Sequence, residues 1–344
     1  MAAGARVLTR RDLNRALLAR QFLLERTPLP LPRVLEGMAG LQAQYAPSMY
    51  IGLWSRMAAF RRDQLDRALD RRRVVQGTLM RSTIHLVSAR DYWPLVLAVR
   101  SSRRRWCVQA HKIPAEEFEA AAERLRRRLA GATLHRSEVT EIVGRSVTNG
   151  VRLWVDLVRV PPSGTWARRR ADLYAAAEDW LGPPKVDVPT ATEHLVRRYL
   201  GGFGPATRDE VAGWAGLPVS EVAALLERLP LRRFRAEDGA ELFDLLRAPL
   251  PPATTEAPVR FLPVWDATLL VHARRAGILR EEHRPLIFTS KNPHSVNTFL
   301  VDGVVAGTWR YENGRVQVAP YESLGPRAAG QVAEEAEGLA RLHQ

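Results

Sequence analysis

The 344-residue sequence predicts an α+β fold, with three tandem winged-helix units followed by a mostly antiparallel β-domain. Two observations carry this reading. Helices followed by a hairpin recur three times, most clearly where a full capping box, Thr207-Arg208-Asp209-Glu210, opens a helix–turn–helix pattern. After a proline-rich linker, two dipeptides that favour tight hairpins, Asp302-Gly303 and Asn313-Gly314, separate runs of strand-forming residues.

The first unit spans residues 1–110. Thr9 and Asp12 stand at capping spacing, and Leu13, Leu17, Leu18 and Leu24 follow at helical intervals. Prolines 28, 30 and 32 break the chain before Val34, Leu35, Met38 and Leu41 start a second helix. A third helix runs through Leu65, Ala68 and Leu69. From residue 78 to 87 the period changes to two, which places Leu79, Arg81, Thr83, His85 and Val87 on one strand face.

The second unit, residues 111–187, reads as helices over 118–129 and 138–143 and a strand over 151–160. Pro161-Pro162-Ser163-Gly164 then turns the chain into a wing at Thr165-Trp166. In the third unit, residues 188–250, Gly216-Leu217-Pro218 makes the tight turn. Val222, Leu225, Leu226 and Leu229 then line one helix face, and residues 231–245 form a wing with Asp238-Gly239 at its tip. The remainder, 251–344, reads as strands over 261–272, 298–301, 304–310 and 315–318, with a closing helix over 328–342.

Composition limits the class of function. Hydrophobic residues at 46% and charged residues at 26% describe a chain able to bury a core, which excludes a disordered or fibrous protein. A single Cys107 excludes an intramolecular disulfide and a cysteine-rich zinc site. The longest apolar run, residues 92–99, is far short of the roughly 20 residues that span a bilayer. Arg10, Arg11, Asp12 and Arg15 interrupt any signal-peptide core, so a soluble cytoplasmic monomer with no membrane contact is expected.

The net charge of +14 is almost wholly arginine, because Lys112, Lys185 and Lys291 are the only lysines. Arginines cluster at 71–73, 103–105, 126–128 and 168–170, with Arg232, Arg233 and Arg235 beyond. That spread predicts an extended surface for a polyanion such as DNA.

No phosphate-binding GxxxxGK[ST] or zinc-binding HExxH is present, and Gly201-Gly202-Phe203-Gly204 lacks dinucleotide spacing, so neither metal nor cofactor is expected. The stretch Gly40-Leu41-Gln42-Ala43-Gln44-Tyr45-Ala46-Pro47-Ser48 stands out instead. Gln42 and Gln44 share a face only if the chain is extended. Gly40 offers a place for the second helix to end, and Pro47 biases Ala46 away from the helical region. Both amides would then point into one cleft; the alternative is two exposed glutamines at a helix end.

Together these features resemble the AlkZ/YcaQ-like DNA glycosylases. The resemblance rests on Gln42-Ala43-Gln44 after the second helix, the strand motif Leu79-Met80-Arg81-Ser82-Thr83-Ile84-His85-Leu86, and Leu262-Pro263-Val264-Trp265-Asp266 with residues 303–310. It covers essentially the whole chain. Ala43 stands where that family usually has a larger aliphatic residue, and Trp265 where a smaller aromatic is expected.

The resemblance implies a monofunctional glycosylase acting on double-stranded DNA that carries N3- or N7-alkylated, cationic purines, bulky adducts or crosslinks included. Gln42 and Gln44 would be catalytic. Arg81, Thr83 and His85 would contact the DNA backbone beside the lesion. Asp266 would either face the sugar cation or pair with an arginine, and Arg275 and His272 are further DNA-binding candidates. The rival class is a winged-helix regulator that binds DNA without chemistry. A third is a binder of a DNA-damaging natural product, marked by an apolar pocket lined with Trp.

Overall fold

The structure is a computed structural model that describes residues 6–270, 277–288 and 296–344. The chain opens with β1 (Val7–Leu8) and α1 (Arg10–Arg20), whose capping box joins Thr9 and Asp12 as the sequence predicts. After the proline run come α2 (Leu31–Gly37), β2 (Leu41–Gln42), α3 (Ala46–Trp54) and α4 (Arg62–Asp70). The hairpin β3 (Val74–Thr78) and β4 (Ile84–Ser88) then leads directly into α5 (Ala89–His111), which is N-capped by Ser88.

A second group follows: α6 (Ala115–Leu129), β5 (Thr133–His135), α7 (Arg136–Val143), α8 (Thr148–Val151), β6 (Leu157–Arg159), β7 (Leu173–Ala176) and α9 (Ala177–Leu181). The third holds α10 (Val188–Phe203), α11 (Arg208–Ala215), α12 (Val219–Arg228), β8 (Leu231–Ala236) and β9 (Glu241–Leu245). Its predicted capping box and the left-handed turn at Gly216 are both present. The last group is β10 (Arg260–Leu262), α13 (Ala267–Leu270), α14 (Arg284–Ile287), β11 (Thr298–Val301), β12 (Val304–Glu312), β13 (Arg315–Pro320) and α15 (Pro326–His343). Strands β10 to β13 form one antiparallel sheet in chain order. Positive φ at Asp302, Gly303, Asn313 and Gly314 supplies its two tight turns.

Three strand readings need correction. Residues 151–156 are not a strand: Val151, Leu153, Trp154 and Val155 are all buried, and successive turns sink them together where an alternating strand could not. Trp154 stacks on Phe118 at 4.4 Å. Strand β10 ends at Leu262, because Pro263 turns the chain and Asp266 caps α13 through the Thr268 amide at 3.0 Å. The 78–87 run is split by a turn at Met80–Ser82, with Arg81 (φ +52°) and Ser82 (φ +58°) both left-handed. Helices α3 and α5 were not predicted at all.

The sheets cross the predicted unit boundaries. Strands from the first two groups share one sheet, ordered β2-β4-β3-β6-β7-β5, joined where Gly77 pairs with Val158. A Cβ on Gly77 would lie 2.6 Å from the ring of Tyr92, so the packing of α5 against β3 needs glycine here. Strand β1 pairs in parallel with β8. One apolar core joins α2, α3 and α4 to Phe261, Phe299 and Trp309 of the last group and to Val332 and Leu339 of α15. Among the described residues, no helix is long and apolar enough to cross a membrane.

Candidate active site

Glycine geometry sets the approach to the two glutamines. After α2, Ala39 (φ +61°) and Gly40 (φ +82°) are both left-handed. A Cβ on Gly40 would lie 2.8 Å from Val87 Cγ1, so only glycine lets the chain drop onto β4 here. The chain then runs extended: Leu41 pairs with Leu86, Gln42 with His85, and the Ala43 amide donates to the Ile84 carbonyl at 2.7 Å. Pro47, in the first turn of α3, ends the extended stretch at no hydrogen-bond cost.

Alternate side chains of an extended segment share a face. Gln42 Nε2 accordingly donates to Gln44 Oε1. Gln42 is buried at 7% exposure, whereas Gln44 is exposed. Gln42 Oε1 is buried and accepts no hydrogen bond from the protein. Buried acceptors are nearly always satisfied, so this oxygen is free to accept from water or substrate.

The backbone between the glutamines is held from the second group. Arg159 Nη1 donates to the Ala43 carbonyl at 3.0 Å and to Gln76 Oε1 at 3.2 Å, and Gln76 Nε2 donates to the Gly164 carbonyl at 3.1 Å. Ala43 itself is fully buried. The loop between β6 and β7 borders Gln44 through its neighbour: Arg169 Nη1 donates to the hydroxyl of exposed Tyr45 at 3.3 Å. Trp166, in the same loop, meets Tyr50 edge-on at 5.5 Å, with the Arg62 guanidinium 5.0 Å over its ring.

The strand motif is arranged differently from the expectation. Arg81, Thr83 and His85 do not share a strand face, because the two left-handed residues break the alternation. Arg81 Nη1 points to the Trp214 carbonyl at 3.4 Å, and Thr83 Oγ1 donates to the Met80 carbonyl at 3.1 Å. His85 is buried. Its Nδ1 lies 3.1 Å from the Thr83 carbonyl, which can only accept, so Nδ1 carries the proton. Burial, with the positive charges of Arg81 and Arg103, holds its pKa down to about 3. A neutral imidazole contributes no charge toward a phosphate.

Asp266 takes the second of its two expected roles. It forms a bidentate pair with Arg56, both contacts 2.9 Å and both side chains fully buried, and it also accepts from the Thr268 hydroxyl at 2.8 Å. That arrangement joins the end of α3 to the last group. Arg275 and His272 lie outside the described residues.

The arginine clusters divide. Arg103 is buried and donates to the carbonyls of Thr78 and Leu79, Arg104 donates to the Leu153 carbonyl, and Arg233 pairs with Glu227 and Glu241. Arg71, Arg73, Arg127, Arg128 and Arg169 remain exposed.

Residues 35–342, a span that holds both glutamines, the β3–β4 hairpin and Asp266, match the family described as DNA glycosylase AlkZ-like. The chain belongs to the AlkZ-like DNA glycosylase family. The interstrand DNA cross-link repair glycosylase of Streptomyces sahachiroi is 24% identical to it, over 94% of this chain and 93% of that protein. The solved structure of Streptomyces sahachiroi DNA glycosylase AlkZ shares the fold, with a TM-score of 0.84 at 20% identity, covering 98% of this chain and 97% of that one. As an AlkZ-like glycosylase, the chain is a hydrolase acting on N-glycosyl bonds.

Within this AlkZ-like site, sequence reasoning missed Arg159 and the Tyr45–Arg169 contact. The sequence marks Thr165-Trp166 as a wing and Arg168-Arg169-Arg170 as a basic cluster. That this wing lies beside Gln44 depends on the pairing of β3 with β6, which no local pattern encodes.

Proposed function

We propose that this glycosylase hydrolyses the N-glycosidic bond of N3- or N7-alkylated purines in double-stranded DNA and leaves an abasic site. The observation that carries the reading is the converged glutamine pair with one unsatisfied buried amide oxygen. Alkylation at N3 or N7 gives the purine a positive charge, so the base departs without a general acid. What remains is to hold a water against the anomeric carbon and to stabilise cationic character in the sugar.

Gln42 Oε1 accepts a hydrogen bond from that water and turns its negative end toward the developing cation. Gln44 fixes the Gln42 amide by accepting from its NH2 group, and Arg159 fixes the backbone between them. Ala43 leaves the backbone as the element that is held, in place of a bulky side chain.

The same chemistry extends to an interstrand crosslink whose ends are alkylated purines, the lesion type in the name of the Streptomyces sahachiroi relative. The reading includes three winged helices at 1–110, 111–187 and 188–250 with a β-rich unit at 251–344, acting as a monomer on DNA in the cytoplasm.

The test is incubation with a duplex containing one N7-methylguanine, followed by alkaline cleavage of abasic sites. Strand breaks at the lesion support the proposal. Duplex binding without breaks would instead support a DNA-binding protein without this chemistry.

A further inference from the structure

On the seam between the first two groups of elements, lined by the Arg159 that holds the Ala43 carbonyl, lies a partly enclosed cavity of about 120 Å³. Its walls include Arg136, Arg152 and Arg159 together with Thr148, Asn149 and Tyr174. Gly77, on the seam, contributes no side chain to its wall. No carboxylate lines it, and among the described residues none of the three arginines lies in an ion pair.

The Nε atoms of Arg152 and Arg159 are buried and have no hydrogen-bond partner. Burial pulls both guanidinium groups below their usual range, and neighbouring arginines add to the effect. Two other buried arginines are matched with carboxylates, Arg20 with Asp244 at 2.7 Å and Arg56 with Asp266, while the buried Arg103 donates to backbone carbonyls.

Three convergent guanidinium groups without a counter-ion, flanked by hydroxyl and amide groups, form a receptor for a small tetrahedral oxyanion. A cationic alkylpurine would be repelled by them. We propose that this cavity is a phosphate site, which seats one phosphodiester group of the DNA strand beside the damaged nucleotide.

The site is coupled to the chemistry through Arg159, whose Nη1 holds the Ala43 carbonyl while its unpartnered Nε belongs to the same guanidinium. A seated phosphate fixes that guanidinium, and with it the segment that carries Gln42 and Gln44. The inference rests on the duplex-DNA reading above and adds which group of the strand is gripped and where. Surface arginines supply diffuse attraction; this cavity supplies register.

The experiment uses duplexes in which single phosphodiesters around an N7-methylguanine are replaced one at a time by neutral methylphosphonates. Single-turnover excision and equilibrium binding are both measured. One linkage is expected to lose about tenfold or more on neutralisation, the loss of one charge-assisted contact, while its neighbours change little. Arg152→Gln should suffer the same loss on unmodified DNA and show no further penalty at that linkage, and Arg152→Lys should recover part of it. Arg136→Gln, at an exposed position, repeats the comparison should Arg152 variants fail to fold.

Additive penalties at every linkage would overturn the proposal. So would an Arg152-dependent affinity for inorganic phosphate by calorimetry without a sensitive linkage, which would assign the cavity to a free anion. The binding arm needs no excision, so failure of the glycosylase reading and failure of this site give different results.

Discussion

Arg159, at the end of β6, holds the carbonyl of Ala43 at 3.0 Å across 116 residues of sequence. The residue between the two glutamines is thereby held on its carbonyl from the second group of elements, as its amide is held by the Ile84 carbonyl of β4 in the first. A glycosylase that works by placing a water needs such rigidity, since a shift of about 1 Å in a positioned group costs on the order of a hundredfold in rate.

Arg159→Met should therefore slow excision by about tenfold or more, the worth of a charged hydrogen bond. Duplex affinity should fall much less than the rate. Single-turnover kinetics beside equilibrium binding distinguishes the two, and an equal loss in both would place Arg159 in binding alone.

The pH profile of excision should be flat between about pH 6 and 8, because amides do not titrate there and a cationic base leaves without an acid. His85, which pairs with Gln42 across the strands, is neutral throughout that range with a pKa of about 3. A bell-shaped profile would point to a general acid–base pair in place of the glutamines.

Stability should respond to His85 at acid pH. Its folded pKa is depressed from 6.5 to about 3, so the unfolded chain binds a proton over that window and the native chain does not. The stabilisation is present above pH 6.5 and is lost as pH falls toward 3, by about 1.4 kcal/mol per pH unit from this group. His85→Gln should flatten that part of the curve in urea melts run from pH 7 to 4.

Arg56→Met should destabilise by about 3–5 kcal/mol, because it leaves Asp266 buried without its cation. Chemical denaturation reads this directly. Arg56 and Asp266 join α3 to the last group, so the folded fraction should excise at nearly the normal rate per molecule. A folded Asp266→Asn protein that had lost excision selectively would return Asp266 to the reaction.

Where the sequence spoke locally, it was legible. The capping boxes at Thr9 and Thr207, the turn at Gly216 and the hairpin turns at 302–303 and 313–314 are short-range chemistry, and all are in place. Gln42 and Gln44 meet as their spacing predicts, because Gly40 and Pro47 fix an extended segment.

What failed depended on tertiary context. Helix α5 reads as an apolar run followed by arginines, because α10 packs along one side of it and its Arg103 is consumed by the Thr78 and Leu79 carbonyls. The face shared by Arg81, Thr83 and His85 failed at the left-handed pair Arg81–Ser82, which ordinary residues rarely adopt and a period-two pattern cannot reveal. The seam that joins β3 to β6, and with it the arginine cavity, is made by the pairing of Gly77 with Val158, two residues far apart in sequence.

Binding to duplex should weaken steeply with salt, with log K falling by about 0.9 per tenfold salt for each phosphate neutralised. Titrations at several salt concentrations give the number of contacts. A flat response would remove the exposed arginines from the DNA interface.

The most direct measurement is single-turnover excision of N7-methylguanine by Gln42→Ala, Gln44→Ala and the double variant, with duplex affinity measured in parallel. Each single variant should lose about tenfold to a thousandfold in rate, the contribution of one preorganised polar contact, with affinity nearly unchanged. The double variant should be little worse than the poorer single one, because Gln44 acts through Gln42. Excision by the double variant at the wild-type rate would contradict the assignment of this pair as the catalytic site.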